Sequence, residues 1–222
     1  MNLRTNSQTS KTRYAFTDGE IFYPESDGEP MAETDKHRNL IVELIDILKR
    51  HYSDKNDVYI TGNIMFYYVE DVPEEVVSPD VMVVFGIKNT ERRTFKLWEE
   101  KVPSVIIEIA SRSTFKNDRT EKRELYETLG VKEYFIFNPE YPKTLPSLIA
   151  YRLIDKEFQP VKIESGKVYS EELNLELVDT KNTLRFFSVK ENTFLPTANE
   201  IIANNKKEIE RLKAELAKLK NE

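Results

Sequence analysis

The order of patterns along this chain predicts an α/β domain with a central mixed β-sheet flanked by helices, followed by a separate C-terminal helix. Three observations carry that expectation. Leu40, Ile41, Leu44, Ile45 and Leu48 recur at helical spacing and form one apolar stripe, as on a helix lying against a sheet. Short runs rich in β-branched residues follow, namely VVSPDVMVVFG, PSVIIEIAS and KEYFIFNP, and a charged helical stretch separates the last two. From residue 197 the pattern changes to a heptad seam. Strands alternating with helices around one core indicate α/β or α+β architecture.

Residues 1–13 are polar and rich in Ser, Thr and Asn, and are expected to be disordered. Asp18-Gly19 is a hairpin-turn signal, and Asp27-Gly28 with Pro30 indicates a loop. In ETDKHRNLIVELIDILKRHY, Thr34 or Asp35 can cap the first long helix, with His37 on the apolar stripe one turn before Leu40 and Ile41. VYITGNIMFYYV predicts a strand pair, or one strand kinked at Gly62. VVSPDVMVVFG predicts a strand, and PSVIIEIAS a strand buried on both faces in the middle of a mixed sheet. KNDRTEKRELYETLG predicts one helix, capped by Asp118, with Leu125 and Leu129 facing the core and Gly130 ending it. KEYFIFNP is a strand stopped by Asn138-Pro139, and further strands and turns run from PSLIAYRLIDKEFQPVKI to about residue 190.

In the terminal helix Ile202, Asn205, Ile209, Leu212, Leu216 and Leu219 alternate at spacings of three and four, with Asn205 at one core position. Such a helix can dock on its own domain or pair with another copy. The narrow seam and strongly charged flanks favour a homodimer through the C-terminal helix. The expected division is a disordered segment over 1–13, one α/β domain over 14–196, and the heptad helix over 197–222.

Composition excludes several chemistries. The chain has 222 residues and no cysteine, so disulfides, thiolate nucleophiles and Cys-ligated zinc are ruled out, and a reducing, cytoplasmic setting fits. His37 and His51 are the only histidines, too few for a histidine-rich metal site. The formal net charge of −6 gives no general pull toward nucleic acid or an anionic membrane. The polar N-terminus is not a secretory signal, and no apolar run is long enough to span a membrane. Phosphate-cradling, dinucleotide, zinc-protease and nucleophile-elbow motifs are absent.

What remains is a pair of acids in β-forming runs. Asp80 follows Pro79 at the head of VMVVF, and Glu108 interrupts VIIEIA. A carboxylate in a buried strand must be neutral, paired or bound to a metal. For either acid alone, a wet strand end explains it equally well. If the two strands are neighbours, both carboxylates converge, and two hard oxygen donors suit Mg²⁺ together with substrate phosphate. Lys122 on the following helix could then orient a water or neutralise developing charge, or simply face solvent. Arg112, Lys116, Arg119, Lys122 and Arg123 form a locally basic segment that could face phosphate. Tyr126 shares the face of Lys122, as site neighbour or as core.

The ordered set Pro79-Asp80, Glu108-Ile109-Ala110-Ser111, the D-x-x-x-K-x-x-x-Y of Asp118, Lys122 and Tyr126, and GVKEYFIFNP resembles the PD-(D/E)XK nuclease superfamily, and more narrowly its Uma-type family of restriction endonucleases. DGEIF (Asp18 to Phe22) and His37 at the opening of the first long helix extend the resemblance, which covers about residues 14–190. It implies a restriction-endonuclease-like fold and an endonuclease that hydrolyses DNA phosphodiester bonds with Mg²⁺, or Mn²⁺ in its place. It implies that Asp80, Glu108 and the carbonyl of Ile109 ligate the metal, that Lys122 positions water, that Glu20 is a further acid, and that His37 contacts substrate. Ala110 stands where the wider superfamily places its lysine, so the resemblance assigns that role to Lys122. Rival readings are a catalytically inactive interaction module with a coiled-coil tail, and a nuclease acting on RNA.

Overall fold

The computed structural model describes residues 21–26, 34–111, 114–140, 146–181 and 183–220. The expected disordered segment, the Asp18-Gly19 turn, Glu20, the Asp27-Gly28 loop with Pro30, and Arg112 lie outside these residues.

The first helix, α1 (Asp35–His51), starts where Thr34 accepts a hydrogen bond from the His37 backbone N–H through its side-chain oxygen. It buries Leu40, Ile41, Leu44, Ile47 and Leu48. Ile47 thus joins the buried face, and Ile45, expected there, packs at its margin. Strands β1 (Val58–Thr61), β2 (Phe66–Tyr67), β3 (Val76–Val77), β4 (Val81–Phe85), β5 (Phe95–Lys96) and β6 (Val105–Ile109) follow. Two short helices, α2 (Phe115–Arg119) and α3 (Glu121–Leu129), then lead to β7 (Glu133–Phe137). The chain continues through β8 (Leu148–Ile154), β9 (Glu157–Pro160), β10 (Lys167–Ser170), β11 (Leu175–Asp179), β12 (Leu184–Ser188) and β13 (Thr193–Phe194), and closes with α4 (Ala198–Leu219).

The central sheet has six strands in the order β1-β4-β6-β7-β8-β9. It is mixed: β6 runs antiparallel to β4 and parallel to β7. The parallel step needs a crossover, which α2 and α3 supply. Residues alternate across the sheet, so Val105, Ile107 and Ile109 face one core and Ile106 and Ala110 the other. The first core holds α1 and apolar residues of the antiparallel sheet β10-β11-β12-β13. The second holds Tyr126 of α3 and the small sheet β3-β2-β5. Both faces of β6 are covered, which is why its sequence is almost wholly apolar.

Three local expectations are corrected. VYITGNIMFYYV forms β1 and β2 in different sheets, because Asn63 after Gly62 takes a left-handed φ of 51° and turns the chain away. VVSPDVMVVFG is split into β3 and β4, with Pro79 unable to donate to a ladder and its carbonyl accepting from Asn63 N–H at 2.8 Å. The helix expected over KNDRTEKRELYETLG is two helices. Thr120 breaks it at φ −118°, ψ −85°, where its hydroxyl donates to Lys116 O at 2.9 Å in competition with the helical ladder. Asp118 therefore is not a cap: it lies inside α2 and is buried. Gly130 ends α3 in the left-handed region, φ 85°, as expected of a C-terminal glycine.

Candidate active site

The site forms where β4 begins and β6 ends. Val81 pairs with Ile107 and Met82 with Ile106, so one further step of the same register sets Asp80 opposite Glu108. Directly opposed residues of an antiparallel pair share a face. Both acids therefore lie on the side of the sheet that α3 covers, alongside Ile106 and Ala110.

Glu108 is 1 % exposed, in a position where alternation calls for an apolar residue. Two donors hold it: Lys122 Nζ at 2.9 Å to Oε2 and the Tyr126 hydroxyl at 2.8 Å to Oε1. Burial pushes its carboxyl up to about 8, with the fields of Asp80 and Asp118 adding to the rise and Lys122 opposing it. Burial also pulls at Lys122, but the carboxylates of Glu108 and Asp118 outweigh it and keep the amine charged well beyond neutral pH. The Tyr126 hydroxyl is raised by burial and by Glu108, so it stays a donor.

Asp80 is held at the opposite edge. Its Oδ2 accepts from the Ile109 backbone N–H at 2.7 Å and lies 3.4 Å from His37 Nε2. That nitrogen donates to the Ile109 carbonyl at 2.5 Å, so the first turn of α1 reaches over the sheet end, and Ile109 is held through its N–H by Asp80 and through its carbonyl by His37. The backbone of Asp80 is wedged against Gly62. A β-carbon there would sit 1.9 Å from the Asp80 carbonyl oxygen and 2.7 Å from Ile45 Cδ1. Gly62→Ala is expected to lower stability by about 1–3 kcal/mol, as overpacking does. Urea unfolding checks this, and an unchanged midpoint would mean that the strand end yields freely.

Asp118 was not foreseen as a site residue. Its side chain is 2 % exposed, and Oδ1 lies 3.2 Å from Lys122 Nζ, out of line for a hydrogen bond. Burial raises its carboxyl above the usual range, while Lys122 and Thr114 pull it back. The i, i+4 spacing to Lys122 was the available signal, masked by the reading of Asp118 as a cap. Tyr134 was also missed: its hydroxyl donates to the Asp118 carbonyl at 2.9 Å, and its ring meets that of Tyr126 edge-on at 5.1 Å.

The remaining sequence candidates fall as follows. Tyr126 is fully buried, its hydroxyl committed to Glu108. Lys116 and Arg119 are exposed on α2, and Arg119 lies over the Phe115 ring. Ala110 is buried in the second core, so no lysine could occupy its place without disrupting that packing.

The oxygens decide what could be held here. Among the described residues no group of three or more His, Asp or Glu side chains is arranged to hold a metal ion. The donors are instead two carboxylates, Asp80 and Glu108, beside the Ile109 carbonyl. Such a set suits Mg²⁺, which keeps several waters and takes few protein ligands. Burial is the main cause that raises the carboxyls of Glu108 and Asp118, and a divalent cation beside them would favour their ionised forms.

Among the described residues no helix is long and apolar enough to cross a membrane. No curated protein matches the chain. A solved structure similar to it, a "putative nuclease belonging to DUF820" from Anabaena variabilis ATCC 29413, is 14 % identical, covers 71 % of this chain and 80 % of its own, and superposes with a TM-score of 0.47. The model of the Uma2 family, described as "Putative restriction endonuclease", matches residues 3–181. With most of the chain inside that match, and a buried glutamate, an opposed aspartate and a lysine gathered at one sheet end, the protein belongs to the Uma2 family of nucleases.

Proposed function

We propose that the protein is a divalent-metal-dependent endonuclease that hydrolyses phosphodiester bonds of DNA. The observation that carries this is the meeting of Asp80, Glu108, the Ile109 carbonyl and Lys122 at one sheet end, from segments far apart in the chain. Asp80, Glu108 and the Ile109 carbonyl would hold Mg²⁺, or Mn²⁺ in its place. When bound, the cation supplies positive charge against phosphate oxygens that become more negative as the ester breaks.

The side chains have distinct tasks. Tyr126 fixes the orientation of Glu108 by donating to one of its oxygens. Asp118 holds the Lys122 ammonium next to Glu108, where it can orient a water or offset charge developing on phosphate. His37 fixes the Ile109 carbonyl, and with it the end of β6. Water adds to phosphorus, the ester P–O bond breaks, and the leaving oxygen takes up a proton. Exposed Lys116 and Arg119 on α2 supply local attraction for the phosphate backbone on a chain of net charge −6. The family description as a restriction endonuclease favours DNA over RNA.

Plasmid nicking tests the proposal. Wild-type protein with Mg²⁺ or Mn²⁺ is expected to convert supercoiled plasmid to nicked and linear forms. Asp80→Ala is expected to lose roughly 100-fold or more of that rate, comparable to loss of a main electrostatic group at an active site. Equal cleavage by Asp80→Ala would reject the assignment, and cleavage confined to RNA would move the substrate.

A further inference from the structure

The helix α4 leaves a face that its own domain does not cover. Its N-terminus is anchored by a capping box, in which Thr197 and Glu200 each bond the other's backbone N–H, and by the Arg185–Glu200 ion pair at 2.8 Å. Beyond that anchor no residue of the helix is buried. Ile202, Ile209, Leu212, Leu216 and Leu219 are each half or more exposed and fall on one seam. Five large apolar side chains in a row on a monomer mark an interaction face.

We propose that this face binds a second copy of the same chain, as a parallel, in-register two-stranded coiled coil. The spacing assigns the heptad: Ile202, Ile209 and Leu216 at a, and Asn205, Leu212 and Leu219 at d. Two β-branched residues at a with leucines at d favour two strands.

The flanking charges select the partner and the direction. Positions g hold Glu208 and Glu215, and positions e hold Lys213 and Lys220. In a parallel pair each g residue faces the e residue five positions on in the other copy. Glu208 then meets Lys213 of the second copy, and Glu215 meets Lys220. An antiparallel pair would set e against e and g against g, lysine on lysine and glutamate on glutamate. Within one chain Glu208 and Glu215 lie 2.6 Å and 3.7 Å from Arg211, and exposed pairs of that kind are weak enough to exchange.

Asn205 gives an independent argument. Parallel register stacks d on d, so each Asn205 meets its own copy and the two amides can hydrogen-bond. An antiparallel pair sets d against a, where every residue is Ile or Leu, and the amide would be buried without a partner. Parallel pairing also places both domains at the same end of a helix about 33 Å long. On the nuclease reading, two sites then stand side by side for the two strands of one duplex.

The chain has no cysteine, so a single introduced thiol reports the pairing without background. Light scattering on the wild-type chain at up to about 100 μM is expected to give a two-chain mass that falls on dilution. Leu219→Cys is expected to oxidise to a covalent dimer, because facing d residues of parallel strands come within disulfide range, whereas Ala214→Cys on the outer face should not. The charge variant Glu208→Lys with Glu215→Lys should weaken self-association at least tenfold, as should Lys213→Glu with Lys220→Glu. Mixing the two variants should restore a heterodimer. These positions are exposed, so circular dichroism of the variants should match wild type. A monomer throughout the concentration range, a trimer or tetramer, or a dimer that Leu219→Cys cannot link would overturn the proposal. None of these readouts depends on cleavage.

Discussion

Glu108→Gln is expected to lose roughly 100-fold or more of its cleavage rate while folding as well as wild type at acid pH and better than wild type at alkaline pH. The buried carboxyl of Glu108 is pushed up to about 8 from an ordinary 4.5. Between those values the unfolded chain has already released the proton and the folded chain still holds it. Folding therefore takes up a proton in that window, and stability falls as the pH rises through it, with the loss complete above about 8. Glutamine keeps the shape and removes the titration. Its carbonyl oxygen can accept from Lys122, and its amide can donate to the Tyr126 oxygen once that hydroxyl rotates. The stability of Glu108→Gln relative to wild type should thus rise between pH 5 and pH 9, read from urea midpoints without added metal. A difference independent of pH, or one of opposite sign, would mean that Glu108 is already ionised in the folded chain. Unimpaired cleavage by the variant would remove the residue from the site.

The second large effect lies outside the site. Glu133 opens β7, is 1 % exposed, and joins the central sheet to the end of β10 and the turn that follows it. Its carboxylate accepts from Arg152 at 3.0 Å, from the Ser170 hydroxyl, and from the backbone N–H groups of Glu171 and Glu172 at 2.9 and 3.3 Å. Ser170 in turn accepts from the Leu173 N–H at 3.0 Å. Glu133→Ala would leave several of these donors buried without an acceptor. Removing one member of such a cluster costs about 3–5 kcal/mol. For a chain of this length that lowers the melting temperature by roughly 10 °C. Calorimetry reads the shift directly, and a fall of under about 1 kcal/mol would show that water satisfies the exposed donors. Cleavage well below the melting temperature should be unaffected, which separates this buried glutamate from Glu108.

Much of the architecture was legible because local patterns carry it. The apolar stripe of α1, the doubly buried run of β6, the glycine stop of α3 and the heptads of α4 follow from side-chain periodicity and backbone preference, and these act over a few residues. The acids Asp80 and Glu108 were conspicuous for the same reason, as carboxylates breaking an apolar pattern. The break at Thr120 was not legible, since EKRELYETL continues a good helical pattern and one hydroxyl bond decides the matter.

By itself, then, the sequence determined the first and last helices and the core strands, that two acids sit in strands, and that the last helix carries an apolar seam with charges arranged for pairing. Only the tertiary structure decided which groups those acids meet. Register placed Asp80 opposite Glu108, the crossover brought Lys122 and Tyr126 over them, and Asp118, Tyr134 and the Glu133 cluster acquired partners from 16 to 39 residues away or from an adjoining turn. The physical reason is that a buried polar group is specified by whatever can satisfy it, and those partners are chosen by the packing of whole elements rather than by neighbours in the chain.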